Sequence, residues 1–175
     1  NTTYNVTVTD ANRCQVTDGV LINVDPSPTA SAGLDKEICN GQSANLSGSG
    51  GGSYSWSSGG SAAIESVSPT ANTTYTLTVT NGFSCTDTDD VLVTVNALPN
   101  AFAGNDITVC NGGTASITGS GGSTYLWDGG LGAGASHTIT NITVPVTYTV
   151  TVTDLNMCQA TDDIFIDVGS ALTPD

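Results

Sequence analysis

Positive charge is almost missing from this chain. Its 175 residues carry two basic side chains, Arg13 and Lys36, against 16 acidic ones. The resulting net charge of -14 repels a phosphate backbone, so nucleic acid is excluded as a partner. An anionic membrane surface is disfavoured for the same reason. Charge of either sign is scarce, at 10% of residues against roughly 25% in an average soluble domain. No apolar run is long enough to span a bilayer, so the segment has no means of membrane insertion by a helix. No signal-peptide pattern stands at the start, and export and anchoring signals are expected elsewhere in a longer parent protein. Histidine occurs once, at His137. One histidine supplies neither a metal-binding His pair nor a nucleophile–base–acid set, and no GxSxG elbow is present, so no enzyme activity is expected.

What fills the chain is Ser, Thr, Asn and 21 Gly among many Val and Ile, a composition that suits pleated strands and tight turns. The arrangement is repetitive. TTYNVTVTDANRC returns as TTYTLTVTNGFSC and again as VTYTVTVTDLNMC, with Tyr4, Tyr75 and Tyr148 standing 71 and 73 residues apart. AGLDKEICNGQSANLSGSGGGSYSW returns as AGNDITVCNGGTASITGSGGSTYLW, with Cys39 to Cys110 and Trp56 to Trp127 each 71 apart. Solenoid turns are far shorter than this, so the period marks whole domains on a string.

Each copy reads as strands. Ala44, Leu46 and Gly48 alternate with polar residues, as do Tyr54 and Trp56, then Tyr75, Leu77 and Val79, then Val91, Val93 and Val95. A period of two is the mark of strands with one buried face. Turn residues separate them at Asn40–Gly41, Gly50–Gly52, Gly59–Gly60 and Asn81–Gly82. The expectation is an all-β protein of tandem sandwiches, about seven strands each. Residues 1–25 form the C-terminal part of a truncated repeat, 26–97 and 98–170 form complete repeats, and 171–175 begin another linker. Short linkers are expected over 24–32 and 95–103. Trp56, Tyr75, Trp127 and Tyr148 are the core anchors, and a core with so few aromatics is thin.

Five cysteines stand at 14, 39, 85, 110 and 158. Two belong to each full repeat, and Cys14 belongs to the truncated repeat at the start. Without a His cluster nearby, they point to disulfides in an oxidising compartment and away from zinc.

The tyrosine opening TYTLTVTNG or TYTVTVTDL, the strand of alternating valines after it, and the AGxD linker resemble PKD-type immunoglobulin-like repeats. The closest resemblance is to the cysteine-containing repeats of giant Bacteroidota surface proteins, including gliding adhesins exported by type IX secretion. It covers nearly the whole chain and implies an extracellular, cell-surface location. It also implies a spacer role, with any adhesive tip outside the repeats. It places Tyr75 and Tyr148 as corner tyrosines at the start of strand F, and Trp56 and Trp127 on strand C. No cysteine falls on the central B and F strands, unlike the antibody pattern.

Two disulfide schemes stay open. Pairing within repeats, Cys39 to Cys85 and Cys110 to Cys158, closes loops of about 46 residues worth on the order of 4 kcal/mol. In an immunoglobulin-like sandwich, however, these positions lie at opposite poles, separated by roughly 20 Å for a six-residue strand. The alternative bridges a junction, Cys39 to Cys158. In either scheme the partner of Cys14 lies outside the chain.

The acidic residues are the remaining candidates. Asp35, Asp87, Asp89, Asp90, Asp162 and Asp163 are possible calcium ligands near domain ends, although no EF-hand motif is present. The plainer reading is a solvated acidic face. The runs GSGGGS and GSGGS lack the Lys and helix of a phosphate loop and are read as B–C turns. His137 is read as a lone surface histidine. Asn72 and Asn141 head sequons for sugar. The function expected is a structural stalk whose neighbours are further copies of the same repeat, with packing of copies into an oligomer or fibre as a variant. The alternative is a carbohydrate- or ligand-binding accessory module of a secreted enzyme.

Overall fold

The computed structural model describes residues 1–169, so the linker expected at 171–175 lies outside the described residues. Fifteen strands and no helix occur among them. Chain contacts divide the protein into two compact units. The first holds Asn1–Lys36, Ala44–Val67 and Thr73–Val93, and the second Glu37–Ser43, Ser68–Asn72 and the chain from Thr94 onward.

The chain opens with an antiparallel hairpin, β1 (Thr2–Thr9) and β2 (Gln15–Ile22), which pairs Tyr4 with Val20 and Val8 with Val16. These are positions of the F–G hairpin of a repeat. Their apolar side chains are exposed, and the two strands pair only with each other among the described residues.

The first full repeat supplies β3 (Lys36–Cys39), β4 (Ala44–Ser47), β5 (Ser53–Trp56), β6 (Ile64–Val67), β7 (Thr73–Thr80) and β8 (Thr86–Asn96). Four of them form a sheet in the order β3-β8-β7-β5, and β4 pairs with β6 in the other. With β4 to β8 taken as strands B, C, E, F and G, this is the strand order of an immunoglobulin-like sandwich. Alternation creates the core: Ala44 and Leu46, Trp56, Val67, Leu77 and Val79, and Val91 and Val93 are all buried.

The second repeat follows the same plan with β9 (Ile107–Cys110), β10 (Gly113–Thr118), β11 (Thr124–Trp127), β12 (Gly132–Ala133), β13 (Ser136–Ile142), β14 (Val146–Thr153) and β15 (Gln159–Gly169). Its sheets run β12-β11-β14-β15-β9 and β10-β13, with β9 parallel to β15. Ala115, Ile117, Trp127, Ile142, Val150, Val152, Ile164 and Ile166 fill the core. The named strands number six and seven. Each repeat adds an isolated bridge before them, Ser31 to Ser49 and Phe102 to Ser120.

The linkers are shorter than the sequence predicts. Val95 still belongs to β8, and Ala32 and Ala103 are buried against their own sandwiches. In the sequence, proline and small side chains read as short linkers, but here the small side chains let the backbone lie close to the sheet. Gly50 and Gly121, at φ 130° and 100°, complete this approach. An added Cβ would collide with the carbonyls of Thr29 and Asn100, so only glycine fits.

Candidate functional site

The recurring constellation is built from cysteines and the short acidic side chains beside them. Three cysteines sit at the end of one turn, made three times. In each, a residue in the left-handed region precedes the cysteine: Arg13 at φ 66°, Ser84 at 64° and Met157 at 63°. The turn opens with Asp10, Asn81 or Asp154, whose side-chain oxygen accepts two backbone N–H groups. The donors are residues 12 and 14, 83 and 85, and 156 and 158, at 2.7–3.0 Å. Backbone bonds from Asp10 N, Asn81 N and Asp154 N to the cysteine carbonyls close the loop at 2.9–3.0 Å. The side-chain oxygen supplies the acceptor that the turn's N–H groups would otherwise lack.

The other two cysteines end short strands. Cys39 closes β3 and Cys110 closes β9, and each is followed by Asn and a left-handed glycine, Gly41 or Gly112. The structure joins Cys39 to Cys158, with a Cα–Cα distance of 5.5 Å, inside the range a disulfide tolerates. Both lie in the second contact unit. Glu37, Gln42, Asn96, Asn156 and Met157 share a shallow pocket with Cys39. The within-repeat pairs are therefore not formed. Cys85 and Cys110, expected in disulfides, are free thiols here, as is Cys14. Spacing alone leaves the two schemes level, because it carries no distance between residues 119 apart.

The six carboxylates considered for calcium do not converge. Asp87 accepts from Ala30 N at 2.8 Å and Asp89 from Ala32 N at 2.9 Å. Asp162 accepts from Ala103 N at 2.8 Å. Asp35 accepts from Leu92 N at 2.9 Å, and its counterpart Asp106 from Phe165 N at 2.9 Å. Asp90 and Asp163 alternate to the exposed side. Among the described residues, no three His, Cys, Asp or Glu side chains stand close enough to share a metal ion. Asp35, Asp87, Asp89, Asp106 and Asp162 act as clamps that hold the leading segment of each repeat onto strand G.

Trp56 and Trp127 are buried on strand C as expected, and their indole N–H groups donate to Ala62 O and Gly134 O at 2.9 and 3.1 Å. Tyr75 and Tyr148 are half-buried, and Tyr148 packs against the core of the second repeat. Tyr148 lies under Gly129, where an added Cβ would meet its ring at 2.6 Å. A hydroxyl-to-backbone bond of the corner type comes from Tyr125 on strand C, donating to Gly122 O at 2.7 Å. His137 is not a free surface residue. Its ring packs edge-on to Trp127, centroids 6.3 Å apart, and its buried Nε2 has no hydrogen-bond partner. Asn72 uses its side-chain oxygen to accept from Val95 N at 2.8 Å. Asn141 is exposed at φ 57°.

No family model matches the chain, and no curated protein matches it. Among solved structures, it is similar to the IG1+IG2 fragment of DIP-gamma at a TM-score of 0.38 and 13% identity, over 83% of this chain and 99% of that one. It is similar to the fibronectin(III)-like modules of CbhA from Clostridium thermocellum at a TM-score of 0.39 and 14% identity, covering 82% and 95%. The insect immune protein hemolin, described with implications for homophilic adhesion, gives 0.43 and 13% identity, covering 95% and 56%. The immunoglobulin-like assignment rests on this chain's own strand order.

Proposed function

We propose that this chain is a non-catalytic, extracellular stretch of an adhesin or surface-filament stalk, in which stapled sandwiches hold an adhesive region away from the cell. One observation carries the reading. The polar side chains that the fold engages recur at matching positions in successive copies: the turn acceptors Asp10, Asn81 and Asp154, the clamps Asp89 and Asp162, and the strand-opening pair Asp35 and Asp106. A reactive or ligand-reading site is a departure from a scaffold, whereas these groups are the scaffold. The disulfide favours an oxidising, extracellular setting. The resemblance to Bacteroidota gliding-adhesin repeats supplies the surface habitat and the type IX route.

A stalk bears load, so the test is mechanical. Pulled from its two ends, the chain with Cys39–Cys158 closed hides the loop between them, a sequence separation of 119. Reduction should release about 400 Å of extra contour, at about 3.4 Å per residue. The extra length should appear as discrete force peaks of folded domains. Extension without force peaks in either state would sink the load-bearing role. The rival, a carbohydrate-binding module, needs exposed aromatics on one face, whereas Trp56 and Trp127 are buried. Specific binding of the chain on a glycan array would replace the stalk reading with that one.

A further inference from the structure

The five cysteines fall into two kinds by local structure. Cys39 and Cys110 end a four-residue strand ahead of Asn and a left-handed glycine. Cys14, Cys85 and Cys158 follow a left-handed residue in a turn closed by an Asp or Asn side chain. The single bond joins one of each kind, and it does so between successive repeats. The unlike pairs inside one repeat, Cys39 with Cys85 and Cys110 with Cys158, are left unbonded. Counting 119 residues forward from Cys110, or back from Cys85 or Cys14, leaves the 175 residues present.

We propose that Cys14, Cys85 and Cys110 are open halves of the bridge that Cys39 and Cys158 close, each taking as partner a cysteine of the opposite kind from another repeat. Cys110 takes a turn cysteine; Cys14 and Cys85 take strand-end cysteines. The source is a further repeat of the same polypeptide or a second copy of this chain, and the chemistry is the same. Cys14 and Cys110 are exposed and Cys85 is half-buried, so all three have a face open to a partner. The oxidant is a small-molecule or protein disulfide. One cysteine thiolate attacks it, forming a mixed disulfide and releasing one thiol. The partner cysteine then displaces the second thiol, so two cysteine thiols are oxidised and one oxidant disulfide is reduced. The pairing rests on the equivalence of the repeats and not on the stalk reading, so its failure would leave that reading standing.

The test equilibrates the reduced chain in a glutathione redox buffer, blocks free thiols, and maps bonded peptides without reduction. The first arm uses the 175-residue chain at high concentration. The second uses the chain with another copy of residues 103–170 added after Asp175, which keeps the 73-residue step from Tyr75 to Tyr148, at high dilution. Expected in the second arm is a bond from Cys110 to the added copy's equivalent of Cys158, with Cys39–Cys158 retained. Expected in the first are intermolecular links from Cys110 to Cys14 or Cys85, at least tenfold above Cys110–Cys110 links. Success in the second arm alone names the same polypeptide as source, and success in the first alone names a second copy. Like-kind links as abundant as unlike ones, bonds within a repeat, or Cys110 alkylated in both arms would overturn the pairing rule.

Discussion

At the scale of single residues, the chain keeps strain where its cysteines need a fixed direction. Arg13, Ser84 and Met157 occupy a backbone region that costs an L residue roughly 1–2 kcal/mol, yet all three copies retain a side chain there. Ser84 is exposed and has no core contact to lose. Ser84→Gly should therefore raise stability by about 0.5–1 kcal/mol, the released strain being partly offset by greater freedom of the unfolded chain. Urea denaturation measures the gain; a fall would mean that the serine side chain holds the turn. The clamps behave oppositely. Ala103 is buried, and Asp162 is the acceptor for its N–H. Asp162→Ala leaves that donor unsatisfied and should cost about 1–3 kcal/mol. Asp162→Asn, which keeps an oxygen acceptor, should recover most of it. Equal losses for the two variants in the same denaturation assay would assign the effect to charge and not to the hydrogen bond.

At the scale of elements, the sandwich is readable because each strand has one wet face and one dry face. Leu77 and Val79, or Val150 and Val152, announce themselves by alternation alone, and the structure buries all four. The turns are equally plain, since glycine and asparagine mark them. Alternation also contains a conflict. Asp89 shares parity with Val91 and Val93, and Asp162 with Ile164 and Ile166, which points carboxylates toward the inner side of strand G. A charged group on that side must have a donor waiting, and the donors are the N–H groups of Ala32 and Ala103. They are illegible in the sequence because they come from segments 57 and 59 residues away that composition presents as linkers. The calcium reading takes the same aspartates as free ligands. Asp35, Asp87, Asp89 and Asp162 each give one oxygen to a backbone N–H, which is a local accounting that periodicity cannot perform.

At the scale of the whole molecule, the bond between Cys39 and Cys158 is the one covalent tie across the 119 residues it spans. Each sandwich core is small: the second holds Trp127 as its only buried aromatic. Small cores leave little margin over chain entropy, so a constraint on the unfolded chain carries weight. In the chain-entropy picture, a closed loop of this length removes unfolded freedom worth about 5 kcal/mol. The double variant Cys39→Ser with Cys158→Ser should therefore lower the denaturation midpoint of the second repeat, followed through the burial of Trp127. Reduction of the unmutated chain should reproduce that shift. At high dilution, where no second copy supplies partners for the three cysteines left free in the structure, adding reductant to the double variant should change nothing further. The hairpin at residues 2–22 is the internal control. It lies outside the loop, its apolar side chains are exposed, and a probe at Tyr4 should be indifferent to the bond. A midpoint unmoved by breaking the bond would mean that it acts only as a tether between parts that are stable without it.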